Sequence, residues 1–171
     1  MHIPMSSPEL TAAEVAAVNE VLRTAMLSIG PRLTAFEQTL ANYVGTRYAA
    51  GVNSGTSGLH LCMIAADVRE YDFVITTPFS FIASANCILY ERAVPIFVDV
   101  DAHTGNIDPA QVAEATRAIV ERSPSARHWL PPSLRTDSAA LERGRLKALL
   151  PVHAFGHPAD MNPLLELARC Y

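Results

Sequence analysis

The stretch Asn53-Ser54-Gly55-Thr56-Ser57-Gly58 has the residue types that most directly suggest chemistry. It follows a short apolar run at 48–52 and precedes Leu59, Cys62, Met63 and Ala66, which are spaced as one face of a helix. It therefore reads as the turn between a strand and a helix. Ligands of parallel sheets bind beyond the carboxyl ends of the strands, where a glycine-rich turn exposes backbone N–H groups at a helix N-terminus and favours an anion. Thr56 and Ser57 add hydroxyl donors that suit a phosphate. The same residues also fit an ordinary strand-to-helix turn with Thr56 or Ser57 as N-cap. They match neither the dinucleotide fingerprint GxGxxG nor the P-loop pattern.

Three further groups lie where such a site would be built. Phe79-Ser80-Phe81 follows the next strand, so an aromatic ring there can cover a planar ligand or simply pack between helix and sheet. Asp99 and Asp101 end a third strand; paired carboxylates can bind metal, and they can equally cap a loop. His153 and His157 are four residues apart, a metal-binding spacing on a helix, but Pro151, Gly156 and Pro158 argue against a helix there. His153 alone, at the carboxyl end of a fourth strand, remains a candidate site residue, with a loop histidine bonded to the backbone as the other reading.

The elements that position these residues follow from spacing. Thr11 and Glu14 have capping-box spacing before Val15, Val18 and Leu22, which predicts a helix over 12–24. Gly30-Pro31 opens and Gly45 stops a second helix over 31–44. Strands are expected at 48–52, 73–77, 95–100 and 147–153, alternating with helices over 80–90, from Asp108-Pro109 to about Arg122, and from Asp160 onward. That alternation predicts a parallel α/β sheet covered by helices on both faces. The segment 123–144, with Pro124, Pro131, Pro132 and scattered arginines, reads as a surface excursion with a short helix at 138–143.

Composition narrows the class. The 171 residues are 50% apolar and 18% charged with a net charge of −4, which describes one soluble globular domain or a large part of one and lacks the basic footprint of a nucleic-acid binder. No apolar run approaches the roughly 20 residues that span a bilayer, and the first residues lack the basic start and apolar core of a signal peptide. A cytoplasmic location is expected. Cys62, Cys87 and Cys170 are odd in number and sit in apolar helical patterns, so they read as reduced, buried thiols. Lys147 is the one lysine among 13 basic residues.

In order, the stretches Asn53-Ser54-Gly55-Thr56-Ser57-Gly58-Leu59, Val74-Ile75-Thr76-Thr77-Pro78-Phe79-Ser80-Phe81, Pro95-Ile96-Phe97-Val98-Asp99-Val100, Gly105-Asn106-Ile107-Asp108-Pro109 and Pro151-Val152-His153-Ala154-Phe155-Gly156-His157-Pro158-Ala159-Asp160-Met161 resemble the DegT/DnrJ/EryC1/StrS sugar aminotransferases. Ile3-Pro4-Met5 and Leu27-Ser28-Ile29-Gly30-Pro31 fit the start of the same family. The resemblance implies the three-layer αβα large domain of fold type I pyridoxal 5′-phosphate (PLP) enzymes. It also implies a homodimer and amino transfer from glutamate to a nucleotide-linked keto sugar. By the same resemblance Gly55, Thr56 and Ser57 hold the cofactor phosphate, Phe81 stacks on the pyridine ring, and His153 lies near the cofactor.

The resemblance further implies that the acid paired with the pyridine nitrogen and the Schiff-base lysine belong to segments beyond Tyr171. Lys147, at the start of its strand, cannot replace that lysine. The chain is thus expected to be the N-terminal part of the PLP-binding domain, truncated after the fourth strand and inactive alone. Residues 1–45 would form N-terminal helices, 46–122 and 145–171 the αβ core, and 123–144 the excursion. A PLP-dependent keto-sugar dehydratase of the same fold, a noncatalytic truncated remnant and a Rossmann-type nucleotide enzyme stay open. Tyr71 stands where the family usually has glycine, so a positive φ is expected to be strained there.

Overall fold

A computed structural model describes residues 7–171, so Ile3-Pro4-Met5 lies outside the described residues. The chain divides into two compact units, Met1–Gly51 and Val52–Tyr171.

The first unit carries helices α1 (Ala12–Leu22) and α2 (Pro31–Val44). Thr11 and Glu14 form the expected capping box, each side chain bonded to the other's end of the first turn. Pro31 occupies the first turn of α2, and Gly45 ends it at φ +73°, a left-handed turn that favours glycine. An Arg32–Glu20 ion pair joins the two helices. The apolar residues Val15, Val18, Leu22, Phe36 and Leu40, spaced as helix faces, are exposed. No strand forms at 48–52, contrary to expectation. A strand needs a neighbour to accept its N–H groups, and here the Gly51 N–H donates instead to Glu37 Oε1 at 2.8 Å.

The second unit is built on a three-stranded parallel sheet of β1 (Phe73–Thr76), β2 (Val94–Phe97) and β3 (Leu146–Leu150), in the order β2-β1-β3. These are the last three of the four strands expected, each somewhat shorter than its apolar run. Side chains alternate across the sheet. Val74 packs with Met63, Val68, Cys87 and Ile88 on one face, supplied by α3 (Gly55–Ala65) and α4 (Ala83–Tyr90). Phe73, Ile75, Ile96 and Val98 pack on the other face with Val112, Ala115 and Ile119 of α5 (Pro109–Val120) and Leu164 of the C-terminal helix Met161–Cys170. The result is a helix–sheet–helix sandwich, in which each fully buried aliphatic or aromatic side chain contributes roughly 1.5–3 kcal/mol.

Two expectations are corrected. The segment 123–144 is not merely superficial: Ala126, Leu130 and Ala140 are buried in the core beside α5, with Trp129, Leu134 and Leu141 against them. It does so through short turns, α6 (Ala126–Trp129), a 3-10 turn Pro132–Leu134 and α7 (Ala140–Arg143), whose prolines hide any apolar period. Of the three cysteines only Cys87 is buried, and desolvation pushes its thiol pKa up; Cys62 and Cys170 are exposed. Tyr71 does adopt a left-handed conformation, at φ +71°. The C-terminal helix Met161–Cys170 is α8.

Candidate functional site

The N-terminus of α3 is capped by Ser54, whose Oγ accepts from the Ser57 N–H at 3.1 Å. The cap is thus neither Thr56 nor Ser57, leaving those residues inside the first turn. Ser54 Oγ and Ser57 Oγ are 2.9 Å apart; since Ser54 Oγ already accepts, its own proton can go to Ser57 and free the Ser57 hydroxyl to donate outward. Among the described residues the N–H groups of Gly55 and Thr56 and the Thr56 hydroxyl have no protein acceptor. A Cβ on Gly55 would meet nothing within 4 Å, so the backbone there is open to approach. Two free N–H groups, two hydroxyls and the positive end of a helix dipole make a donor set that fits a phosphate.

Topology brings this turn to the carboxyl edge of the sheet. α3 leaves through Val68 and the turn at 69–72 into the amino end of β1, so it runs against the strand and starts at the opposite edge. At that edge β1 ends in Thr76, followed by Thr77, both buried. The Thr76 hydroxyl donates to Leu150 O at 2.9 Å, fixing the end of β1 to the end of β3, and Thr77 Oγ1 accepts from the Phe79 N–H at 3.2 Å. α4 begins at Ala83, later than the expected residue 80, because Ser80 turns the chain, donating to Phe81 O at 3.1 Å. Phe81 is left 77% exposed. Together Pro78, Phe79, Ser80, Phe81, Val152, Ala154 and Phe155 enclose a cleft of about 320 Å³ between the ends of β1 and β3.

The loop after β3 carries His153. Its Nδ1 accepts from the Ala159 N–H at 3.0 Å, which requires that nitrogen to be unprotonated and puts the proton of the neutral ring on Nε2. The ring is exposed at the sheet edge. His157 lies on the same loop, and no group of three metal-ligating side chains occurs among the described residues.

Asp99 and Asp101 behave as loop caps. Asp99 Oδ1 accepts from the Val100 N–H, and Asp101 Oδ1 accepts from the N–H groups of His103 and Thr104. The bond from Thr104, with that from His103, holds the Asp101 carboxyl below the ordinary carboxylate range. The caps shape a small hairpin in which Val100 bridges Ile107 and Gly105 turns at φ +69°. Asn106, at its end, is buried, and both ends of its amide bond the His153 loop. Spacing gave no sign of that role; Asn106 entered the sequence reading only as part of the stretch Gly105-Asn106-Ile107-Asp108-Pro109.

Lys147 is outside this arrangement. In the β1–β3 register Phe73 faces Leu146 and Val74 faces Ala148, so Lys147 is the extra residue of a bulge at the amino end of β3. Its Nζ lies 3.5 Å from Asp67.

A model of the DegT/DnrJ/EryC1/StrS aminotransferase family matches residues 8–171. The chain is 36% identical over 169 residues to an uncharacterized protein of Methanocaldococcus jannaschii, covering 99% of the chain and 37% of that protein. It is 33% identical over 169 residues to GDP-perosamine synthase of Caulobacter vibrioides, covering 98% and 38%. The PMP-form structure of a sugar aminotransferase from Streptococcus pneumoniae superposes with a TM-score of 0.74 at 26% identity, covering 97% of this chain and 35% of that one. The chain thus spans somewhat over a third of the length of the relatives it matches.

Proposed function

Because the chain belongs to the DegT/DnrJ/EryC1/StrS aminotransferase family, we propose that it forms the phosphate-binding part of a PLP-dependent enzyme that transfers an amino group from glutamate to a nucleotide-linked keto sugar. A cytoplasmic homodimer is the state in which we expect it to act. The observation that carries the reading is the set of unpartnered donors at the start of α3. A sugar-nucleotide substrate is supported by the likeness to GDP-perosamine synthase, and the cofactor by the PMP-form neighbour. PLP, when bound, supplies the electron sink that amino transfer requires.

In this reading the N–H groups of Gly55 and Thr56 and the hydroxyls of Thr56 and Ser57 bind the cofactor phosphate. The open space at Gly55 lets the phosphate come close to the main chain. The Phe81 ring, standing free at the same edge, covers one face of the pyridine ring and excludes water from it. His153, fixed as the Nε2–H tautomer by Ala159, donates a hydrogen bond toward the cofactor. Lys147, the one lysine, sits at the amino end of β3 paired to Asp67 and takes no part. The 171 residues alone are therefore expected to show no transaminase activity, since covalent amine catalysis needs a lysine in the cleft.

Thr56→Val in the complete protein tests the phosphate site. Removing one hydrogen bond to a charged group costs about 1.5–3 kcal/mol, so PLP affinity should fall by roughly 10-fold to 150-fold in a spectroscopic titration. An unchanged dissociation constant would return this turn to a plain helix start.

A further inference from the structure

Phe155 and Gly156 form the corner of a turn closed by the His157 N–H, which donates to Ala154 O at 2.9 Å, a corner that favours glycine or asparagine over a bulky side chain. The Phe155 φ of 51° and ψ of 28° lie in the left-handed region, where a bulky side chain is an outlier, and Gly156 follows at φ +82°. Three other residues with positive φ, Asp67, Arg92 and Arg122, each follow the C-cap of a helix, where the next N–H reaches back to close it. Phe155 closes no helix of that kind. The residue is 96% exposed, and its ring stands edge-to-face with that of Phe79, with centroids 5.9 Å apart.

Beyond its own bonds from the Gly156 and His157 N–H groups and from Ala159 to His153, the strained loop is held from outside by one buried side chain. Asn106 is 3% exposed, and its Oδ1 accepts from the Ala154 N–H at 2.9 Å. Its Nδ2 donates to the carbonyls of His157 and Pro158, both at 3.1 Å. Three of the four hydrogen bonds open to a buried amide are thus committed to a loop about 50 residues away in sequence. Such an arrangement reinforces a conformation that carries left-handed strain at Phe155.

We propose that Asn106 is a positioning residue of the site, and that the loop at 153–159 which it fixes holds Phe155 as an aromatic contact for the sugar ring of the amino acceptor. The proposal rests on the aminotransferase reading and names the part of the site that takes the second substrate. Phosphate donors lie at α3 and Phe81 is engaged with the cofactor, which leaves Phe79 and Phe155 as the apolar wall of the cleft. A pyranose presents a C–H face that packs on such rings, while its hydroxyls stay in water or reach other groups.

The test uses the complete, PLP-loaded protein with Phe155→Gly, Phe155→Tyr, Asn106→Ala and wild type. Titration calorimetry with UDP-glucose, GDP-mannose and dTDP-glucose, which lack a keto group and do not react, identifies the tightest probe. Phe155→Gly should weaken that probe about threefold to tenfold, the worth of one aromatic contact. It should leave PLP affinity unchanged and raise the thermal midpoint, because glycine relieves the left-handed strain. Phe155→Tyr should restore probe binding. Asn106→Ala should weaken the probe equally and speed amide exchange at Ala154 and Ala159. Unchanged probe affinity in Phe155→Gly, a lowered thermal midpoint in that variant, or no probe binding to wild type would overturn the proposal. Failure of wild type to bind PLP would instead overturn the aminotransferase reading.

Discussion

Gly144→Ala should cost the protein a large part of its folding free energy. Gly144 is buried just before β3, and a Cβ there would lie 1.9 Å from the Tyr71 carbonyl oxygen, 2.8 Å from its carbon and 3.2 Å from Phe73 Cε2. Non-bonded heavy atoms normally approach to about 3.5 Å, so the two chain segments would have to separate by more than an ångström. Between them run the bond from the Phe73 N–H to Arg145 O at 2.8 Å and that from the Arg145 N–H to Asp72 Oδ1 at 3.2 Å. Losing these costs about 1 kcal/mol each, more where a group is left buried and unpaired. Overpacking adds roughly 1–3 kcal/mol. The sum, about 3–5 kcal/mol, is large against the 5–15 kcal/mol or so of a typical domain. With a urea slope near 2 kcal/mol per molar, the midpoint should fall by about 1.5–2.5 M, read by fluorescence of Trp129, the one tryptophan. The two nearest obstructing atoms, the Tyr71 carbonyl oxygen and carbon, are main chain, so Tyr71→Gly, although it relieves the φ of +71°, should not rescue the variant. A midpoint shift below about 0.3 M, or rescue by Tyr71→Gly, would refute the steric reasoning.

Other expectations are as direct. No strand among the described residues pairs with 48–52, so hydrogen exchange there should be fast except at Gly51, and slow exchange throughout would reveal a partner strand. The Arg143 side chain, with the Ala139 N–H, holds the Asp137 carboxyl below its ordinary range. A depressed folded-state pKa gives stability that is present above the unfolded value, about 3.9, and is lost as pH falls through the folded value. The stability gap between wild type and Asp137→Asn should therefore be widest at neutral pH and close in acid; a constant gap from about pH 2 to pH 7 would contradict it. Arg122, at φ 52° after α5, gains nothing from its side chain among the described contacts, so Arg122→Gly should raise the thermal midpoint by about 2–4 °C, measured by calorimetry.

What was legible in the sequence was local. Thr11 and Glu14 start α1, Gly30-Pro31 and Gly45 bound α2, and Asp108-Pro109 starts α5, because a cap needs only its own turn. The Tyr71 strain could be anticipated too, since glycine is the usual occupant of such a turn. The strand at 48–52 could not be settled this way, because apolar character makes a strand only when another strand accepts its N–H groups. Nor could the burial of Ala126, Leu130 and Ala140, which face the core from separate short turns with no common period. The cap at Ser54 was missed by two or three residues because Ser54, Thr56 and Ser57 are chemically alike, and only main-chain geometry separates a cap from the first turn.

The candidate site shows the same division more sharply. Each of its loops announces its chemistry by residue type: serine, threonine and glycine for an anion, phenylalanine for a ring, histidine for a donor. Their mutual placement is carried by residues that announce nothing. The Thr76 hydroxyl ties the end of β1 to Leu150 at the end of β3, and Asn106 from the hairpin after β2 grips the loop after β3. Both contacts join segments about 50 or more positions apart, so no window of sequence contains them. A parallel sheet makes such contacts necessary, because it gathers the loops at one edge while leaving each attached only to its own strand and helix. The groups that touch a ligand can therefore be read one loop at a time, whereas the groups that hold the loops against each other become visible only when the sheet is assembled.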